Sequence, residues 1–256
     1  LEMNQISEIL LQDSHLHIDS GNVLNFNGVS HKLGRLFINS TSTFDMTTVR
    51  LNKVFSPEVI PFFGVHPWFV KKEDDIDFIM KKLILNIETF SNSGIGECGL
   101  DFSSKYKDTK NIQITLFNEQ VHLALSKRRP LSIHCIKAWD ELFKILDNFN
   151  FKSSSFLIHS FYGSIETMKR IIKLGGFISI SAKSFINPEK SEKVIKAIPS
   201  ERLLIETDLT LNNCDDSMKI YINELEENYK TVANIRGIDF NKLAQQVWNN
   251  GKVFTN

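Results

Sequence analysis

Two histidines separated by one residue, His15 and His17, stand in the run Asp13-Ser14-His15-Leu16-His17-Ile18-Asp19. The run follows an apolar stretch at 9–11 and reads as the end of a buried strand. Alternate residues of a strand share a face, so both imidazoles point into one space. Two neutral imidazoles converging in this way supply half of a transition-metal site. An ordinary strand with two incidental histidines is the alternative, and this short motif alone does not separate the two.

The rest of the chain does. Imidazoles and carboxylates recur where apolar runs end: Glu97 and Asp101 in Gly96-Glu97-Cys98-Gly99-Leu100-Asp101, His134 in Ile133-His134-Cys135, His159 in Ile158-His159-Ser160-Phe161, and Asp208 in Glu206-Thr207-Asp208. His66 follows another run in Gly64-Val65-His66-Pro67-Trp68. Four imidazoles (His15, His17, His134, His159) and two carboxylates (Glu97, Asp208) suffice for two divalent ions, and Glu97 has an oxygen for each. Two such ions outweigh the two carboxylates, so the site stays positive and favours an anionic substrate such as a phosphodiester. A metal pair can clamp an in-line displacement and generate the nucleophile. Imidazole favours Zn²⁺ or Mn²⁺, and Mg²⁺ serves where it is abundant.

Such convergence needs a scaffold that brings distant strand ends to one axis. Short apolar runs recur at 9–11, 35–38, 59–65, 95–97, 131–134, 156–159, 177–180 and 203–205. Their spacing is roughly 20–40 residues, the length of a strand plus a helix. Helical patterns lie between them. One covers 112–127, with Ile112, Leu116, Phe117, Val121, Leu123 and Ala124 at its apolar positions. Others cover 140–147, 165–174 (stopped by Gly175-Gly176) and 241–247 or beyond. The alternation predicts an α/β fold, a single (β/α)8 TIM barrel with the metal site at the C-terminal ends of the strands. A doubly wound open sheet competes, but the glycine-rich phosphate loop it often carries is absent. With no linker, low-complexity tract or internal repeat, residues 1–256 read as one domain, Leu1-Glu2 before Met3 being a cloning remnant.

Hydrophobic residues make up 42% of the 256, enough for a full core. Thirty basic residues balance thirty acidic ones, so no global field draws nucleic acid or an anionic membrane, and polyanion binding must be local. Three scattered cysteines argue against a disulfide framework and for a reducing compartment. No apolar run reaches the roughly 18 residues of a membrane span, and no basic-then-apolar leader opens the chain. The expected location is the cytoplasm.

These motifs resemble those of the TatD family of metal-dependent deoxyribonucleases, a branch of the amidohydrolase-like barrels. Residues 13–19 resemble its HxH motif, 64–67 its GxHP motif, 96–102 its GExGLD motif, 159–164 its HxFxGS motif and 204–208 its LxETD motif. Gln113, Phe117, Gln120 and Ala124 hold the family's spacing before the segment 133–135, and 249–254 resemble its closing segment. The resemblance spans nearly the whole chain. It implies that His15, His17, Glu97 and Asp208 hold one metal and that Glu97, His134 and His159 hold the second. Asp208 would take the proton from the attacking water, and Glu97 and Asp208 would be the catalytic carboxylates. The implied activity is hydrolysis of DNA, as an exonuclease on single-stranded ends.

Three departures bear on the substrate. Leu209-Thr210-Leu211 replaces a proline common after the ETD aspartate, an Asn-Glu-Pro segment beyond it is absent, and Lys137 replaces an arginine. Two competing readings therefore stay open: a hydrolase of a small phosphoester or amide in the same barrel class, and a conditional nuclease subunit of a larger, for example defence, complex.

Among the other residues, His66, Lys137 and Lys183 are expected to contact substrate, and Asp101 to orient a ligand histidine or a substrate group. Asp13 and Asp19 read as caps or turn residues, Glu206 as a buried neighbour of open role, and His31 and His122 as structurally incidental. Trp68, Phe69, Phe102, Phe161 and Tyr162 follow strands, where aromatics can stack on unpaired bases or simply pack loops. Lys127-Arg128-Arg129 precedes the fifth strand and reads as a solvated turn on the opposite face. Cys98 and Cys135, next to proposed ligands on their strands, are expected to face the helices.

Overall fold

The computed structural model describes residues 10–24, 26, 32–52, 57–212 and 215–256. Leu1-Glu2, His31 and Cys214 lie outside them. The strands are β1 (Leu11–Ile18), β2 (Leu33–Asn39), β3 (Glu58–Phe62), β4 (Ile95–Asp101), β5 (Leu131–Ile136), β6 (Phe156–Ile158), β7 (Phe177–Ile180), β8 (Leu203–Ile205) and β9 (Thr210–Leu211). The α-helices are α1 (Met46–Leu51), α2 (Ile76–Thr89), α3 (Lys110–Lys127), α4 (Trp139–Asp147), α5 (Ile165–Lys173), α6 (Pro188–Ala197), α7 (Asp215–Arg236) and α8 (Phe240–Thr255).

All neighbouring strands run parallel, in the orders β3-β2-β1-β9 and β4-β5-β6-β7-β8. The two sets join at both edges. Between β3 and β4, Phe62 bridges Gly94, and the Phe63 N–H donates to the Gly94 carbonyl at 3.1 Å. Between β8 and β1, the Asp208 N–H donates to the His15 carbonyl (2.9 Å) and the His17 N–H to the Leu209 carbonyl (2.8 Å). Hydrogen bonding thus passes around the whole ring, the α/β barrel that the alternation of runs predicts. Most strand residues are buried on both faces, because helices cover the outside and side chains fill the inside.

Each of the eight predicted runs meets a strand, but several ends differ; β3, for one, stops at Phe62, three residues short of its run. β1 continues through both histidines, and β4 extends to Asp101. Parallel pairing supplies the reason: Asp13 and Leu16 sit beside Leu36 and Ile38 of β2, and Gly99 and Asp101 sit beside His134 and Ile136 of β5. Polar residues there face the barrel interior while their backbone completes the ladder.

The final helix seals the barrel base. The Phe254 ring stacks on Phe62 at 5.9 Å and meets Phe37 (5.8 Å) and Phe177 (5.5 Å). Those rings come from β3, β2 and β7, opposite arcs of the barrel that meet only along its axis. Nearby, buried Arg35 donates to Gln12 Oε1 (2.9 Å) and packs over the Trp248 ring (4.1 Å). The open end is therefore the other one, where the strands finish.

Candidate metal centre

Glu97 is the hub of that end. β4 is buried along its whole length, and it delivers the carboxylate to the axis with 2% exposure. Its oxygens divide the surrounding imidazoles. Oε2 lies 3.2 Å from His15 Nε2 and 3.0 Å from His17 Nε2. Oε1 lies 3.0 Å from His134 Nδ1, 2.9 Å from His159 Nε2 and 2.9 Å from His66 Nε2. Asp208 faces the first group, its Oδ1 being 3.7 Å from His17 Nε2 and 4.0 Å from His15 Nε2. Its φ of 56° turns the chain sharply out of β8. The structure thus brings together all six residues expected to hold metal.

The outer nitrogens of His15 and His17 are hydrogen-bonded, and those of His134 and His159 face carboxylates. His17 Nδ1 lies 3.0 Å from the Asn39 carbonyl, a pure acceptor, so Nδ1 carries a hydrogen and Nε2 is the nitrogen that faces inward. His15 Nδ1 shares a hydrogen bond with Ser132 Oγ (2.8 Å). His134 Nε2 faces Asp101 Oδ2 at 3.6 Å, and His159 Nδ1 faces Glu206 Oε1 at 3.3 Å. Such carboxylate partners fix the tautomer and orientation of a ligand imidazole. Asp101 also accepts the Trp68 indole N–H (2.6 Å), and Glu206 the Ser160 N–H (2.6 Å) and the Ser179 hydroxyl.

Electrostatics sharpen the picture. Burial opposes charge on both sides, yet the surrounding imidazoles hold the Glu97 carboxyl well below its usual range. Burial likewise disfavours a charged His17, but Asp208 and Glu97 outweigh it and push His17 up to about 10. Inward nitrogens crowd one another: His15 Nε2 is 3.1 Å from His17 Nε2, and His134 Nδ1 is 3.3 Å from His159 Nε2. Two lone pairs at such distances repel unless a proton or cation lies between them. Nitrogen and oxygen donors in this arrangement fit divalent cations: His15, His17 and Glu97 form one cluster, His15, His159 and Asp208 another, and His66, Glu97 and His134 a third.

His66 is different from the other imidazoles. Its Nδ1 accepts the Trp68 backbone N–H (3.0 Å), so Nε2 carries the hydrogen and donates to Glu97. Burial pushes its pKa down to about 4, which keeps it neutral. It is a hydrogen-bond donor at the cavity wall. Lys183 lies closer to the chemistry than a rim contact would: its Nζ is 2.8 Å from Asp208 Oδ2. Lys137 is exposed, in a left-handed turn after β5 (φ 53°), and lies away from the cavity wall.

The cavity above these groups measures about 730 Å³. Its wall includes Cys135, a buried residue of β5. Burial pushes the Cys98 and Cys135 thiols up, which leaves neither a nucleophile. Asp13 is not a cap. It is buried in β1 and accepts the His15 N–H (3.1 Å), the Thr207 N–H (3.1 Å) and the Thr207 hydroxyl (2.7 Å), stitching β1 to the segment that carries Asp208. Arg129 is likewise more than a solvated turn: its guanidinium binds the carbonyls of Ser91 and Ile87 at the end of α2. Phe161 is buried against Trp139 (5.8 Å), and His122 packs edge-on to Phe149 (4.7 Å). Sequence reasoning missed Asn39 and Ser132, whose partnership with the histidines depends on strand register. It also missed Phe44, a lone aromatic in a Ser/Thr-rich loop.

Residues 12–256 match the family profile described as TatD related DNase. An uncharacterized metal-dependent hydrolase of Buchnera aphidicola is 31% identical over 217 residues, which cover 78% of this chain and 81% of that protein. A 3'-5' ssDNA/RNA exonuclease TatD of Klebsiella pneumoniae is 35% identical over 118 residues, 44% of each protein. The crystal structure of a TatD homologue of Escherichia coli superposes with a TM-score of 0.76, covering 95% of this chain and 97% of that one at 22% identity. A TatD-family hydrolase of Entamoeba histolytica superposes with a TM-score of 0.71 at 19% identity, over 96% and 98% of the two chains. By its sequence across nearly its full length, and in keeping with its barrel, the chain belongs to the TatD related DNase family of metal-dependent hydrolases.

Proposed function

We propose that this protein is a divalent-metal-dependent phosphodiesterase that hydrolyses DNA as an exonuclease on single-stranded ends. The observation that carries the reading is the division of Glu97: one oxygen meets His15 and His17, the other His134 and His159. That arrangement suits two cations: His15, His17, Glu97 and Asp208 would hold one, and Glu97, His134 and His159 would hold the other. Zn²⁺, Mn²⁺ and Mg²⁺ are the candidate ions. Bound there, the cations supply Lewis-acid polarisation of a phosphoryl oxygen and lower the pKa of water.

The chain's own groups do the rest. Asp208 turns Oδ1 toward the histidines and Oδ2 toward Lys183 and the cavity, and it takes the proton from the attacking water. Lys183 offers a cation to a phosphate oxygen, and His66 spends its one N–H on Glu97, holding that carboxylate in place beside the substrate. Asp101 and Glu206 hold His134 and His159 from behind, and neither lines the cavity. Lys137 meets the nucleic acid beyond the cavity wall.

The test uses end-labelled single-stranded and duplex oligodeoxynucleotides, with RNA counterparts, in Mg²⁺, Mn²⁺ or Zn²⁺. Shortening from single-stranded ends, abolished by chelation and reduced about 10²–10⁴-fold by Asp208→Asn, is expected for a lost proton acceptor. Cleavage that ignores either change sinks the assignment.

A further inference from the structure

The rim of the cavity is more apolar than the fold requires. Five large hydrophobic side chains on its wall are exposed: Phe44 (87%), Trp68 (49%), Phe69 (51%), Tyr162 (40%) and Ile186 (74%). They come from four different loops. Phe44 follows β2, Trp68 and Phe69 follow β3, Tyr162 follows β6 and Ile186 follows β7. Strands β2 and β6, and likewise β3 and β7, stand four places apart in an eight-membered ring. The aromatic trio and the Tyr162–Ile186 pair therefore face one another across the mouth, with the Glu97 cluster below.

Phe44 and Trp68 are presented on stiff supports. Asp45 accepts the Thr41 N–H (2.8 Å), the Ser42 N–H (3.0 Å) and the Thr41 hydroxyl (2.7 Å), which fixes the short loop bearing Phe44. Trp68 is held by its indole N–H on Asp101 and by stacking on Tyr106 at 5.7 Å. A loop tied down so that its phenyl ring stands in water gains nothing for the fold. Preordered aromatic surface beside an anion-seeking site is what unpaired bases stack upon, since each base has a π face and each link a phosphate.

Resting on the phosphodiesterase reading above, we propose that the mouth carries two base-stacking shelves. Phe44, with Trp68 and Phe69, forms one, and Tyr162, with Ile186, forms the other. They grip the unpaired bases on either side of the scissile phosphate. Bases inside a duplex have both faces covered by their neighbours, so the shelves select frayed or single-stranded ends without reading sequence.

The test compares the wild type, Phe44→Ala, Tyr162→Ala and Phe44→Trp, all loaded with Mn²⁺. Each is assayed on a single-stranded oligodeoxynucleotide, on the same strand with abasic units flanking the cleaved link, and on methyl p-nitrophenyl phosphate. Phe44 is exposed enough that truncation leaves the fold intact. Each alanine variant is expected to raise KM for the normal strand about tenfold while kcat changes less than about twofold. Phe44→Trp is expected to restore KM, and neither alanine change is expected to matter on the abasic strand or the small diester. Unchanged KM in both alanine variants, or equal losses with and without bases, overturns the shelves. Should the wild type cleave no DNA, fluorescence anisotropy of the labelled strand separates the two ideas. Binding that weakens in Phe44→Ala keeps the shelves and removes the phosphodiesterase reading, whereas absence of binding removes both.

Discussion

Glu97 Oε1 and Oε2 serve different sets of imidazoles, and the consequence for titration is direct. In chelated protein His17 is pushed up to about 10 by Asp208 and Glu97, above its ordinary value of 6.5. A folded-state pKa raised in this way contributes stability that is full below pH 6.5 and lost as pH rises through about 10. Cation binding needs that nitrogen unprotonated, so loading at neutral pH is expected to release protons. Calorimetry in buffers of different ionisation enthalpy checks this; a binding heat independent of the buffer contradicts it. One step further out, Glu206→Gln leaves the volume but removes the charge facing His159. Loss of such a partner is expected to weaken metal affinity about 10–100-fold, measured by competition with a chelator. At this scale the candidate ligands were legible because each is a polar side chain at or near the end of an apolar run. Glu206 was visible in the same Glu-Thr-Asp run, but its partner is not. His159 lies 47 residues away, and only the register of β6, β7 and β8 brings the two together.

At the scale of elements, β4 and β5 approach closely beside the hub. A Cβ at Gly99 would run into the His134 carbonyl oxygen, and its φ of 136° is one that side chains rarely adopt. Gly99→Ala is therefore expected to push β5 and with it His134 outward. Overpacking of this kind costs about 1–3 kcal/mol, which in a chain of this size lowers Tm by roughly 2–12 °C. Metal stoichiometry by elemental analysis should fall as well; a variant of unchanged Tm and full metal content refutes the close-approach argument. Strands were readable because burial on both faces leaves uninterrupted apolar runs. Helices α3, α4, α5 and α8 were readable from their stripes. Helices α2, α6 and α7 were overlooked although some carry plain start signals: Asp75 accepts the Phe78 N–H (3.1 Å), and Asn187 caps a helix beginning at Pro188. β9 is two residues long and exists only because β1 runs past β8 to pair with it.

On the scale of the whole molecule, the two ends of the barrel have opposite jobs. The base is closed by α8, whose Phe254 touches rings from three strands. Phe254→Ala opens a cavity on the axis and is expected to cost about 3–5 kcal/mol. Urea unfolding should show a lower midpoint with an unchanged slope, while chemistry at the far end persists in the folded fraction. No helix among the described residues is long and apolar enough to cross a membrane.

The donors that surround Glu97 come from β1, β5, the residue after β6 and the turn after β8, so they span the chain from His15 to Asp208. A polypeptide still emerging from the ribosome lacks that set until most of its length has been translated and the first strand has found the last. Its capacity for hydrolysis would therefore mature late, all at once, when the ring shuts.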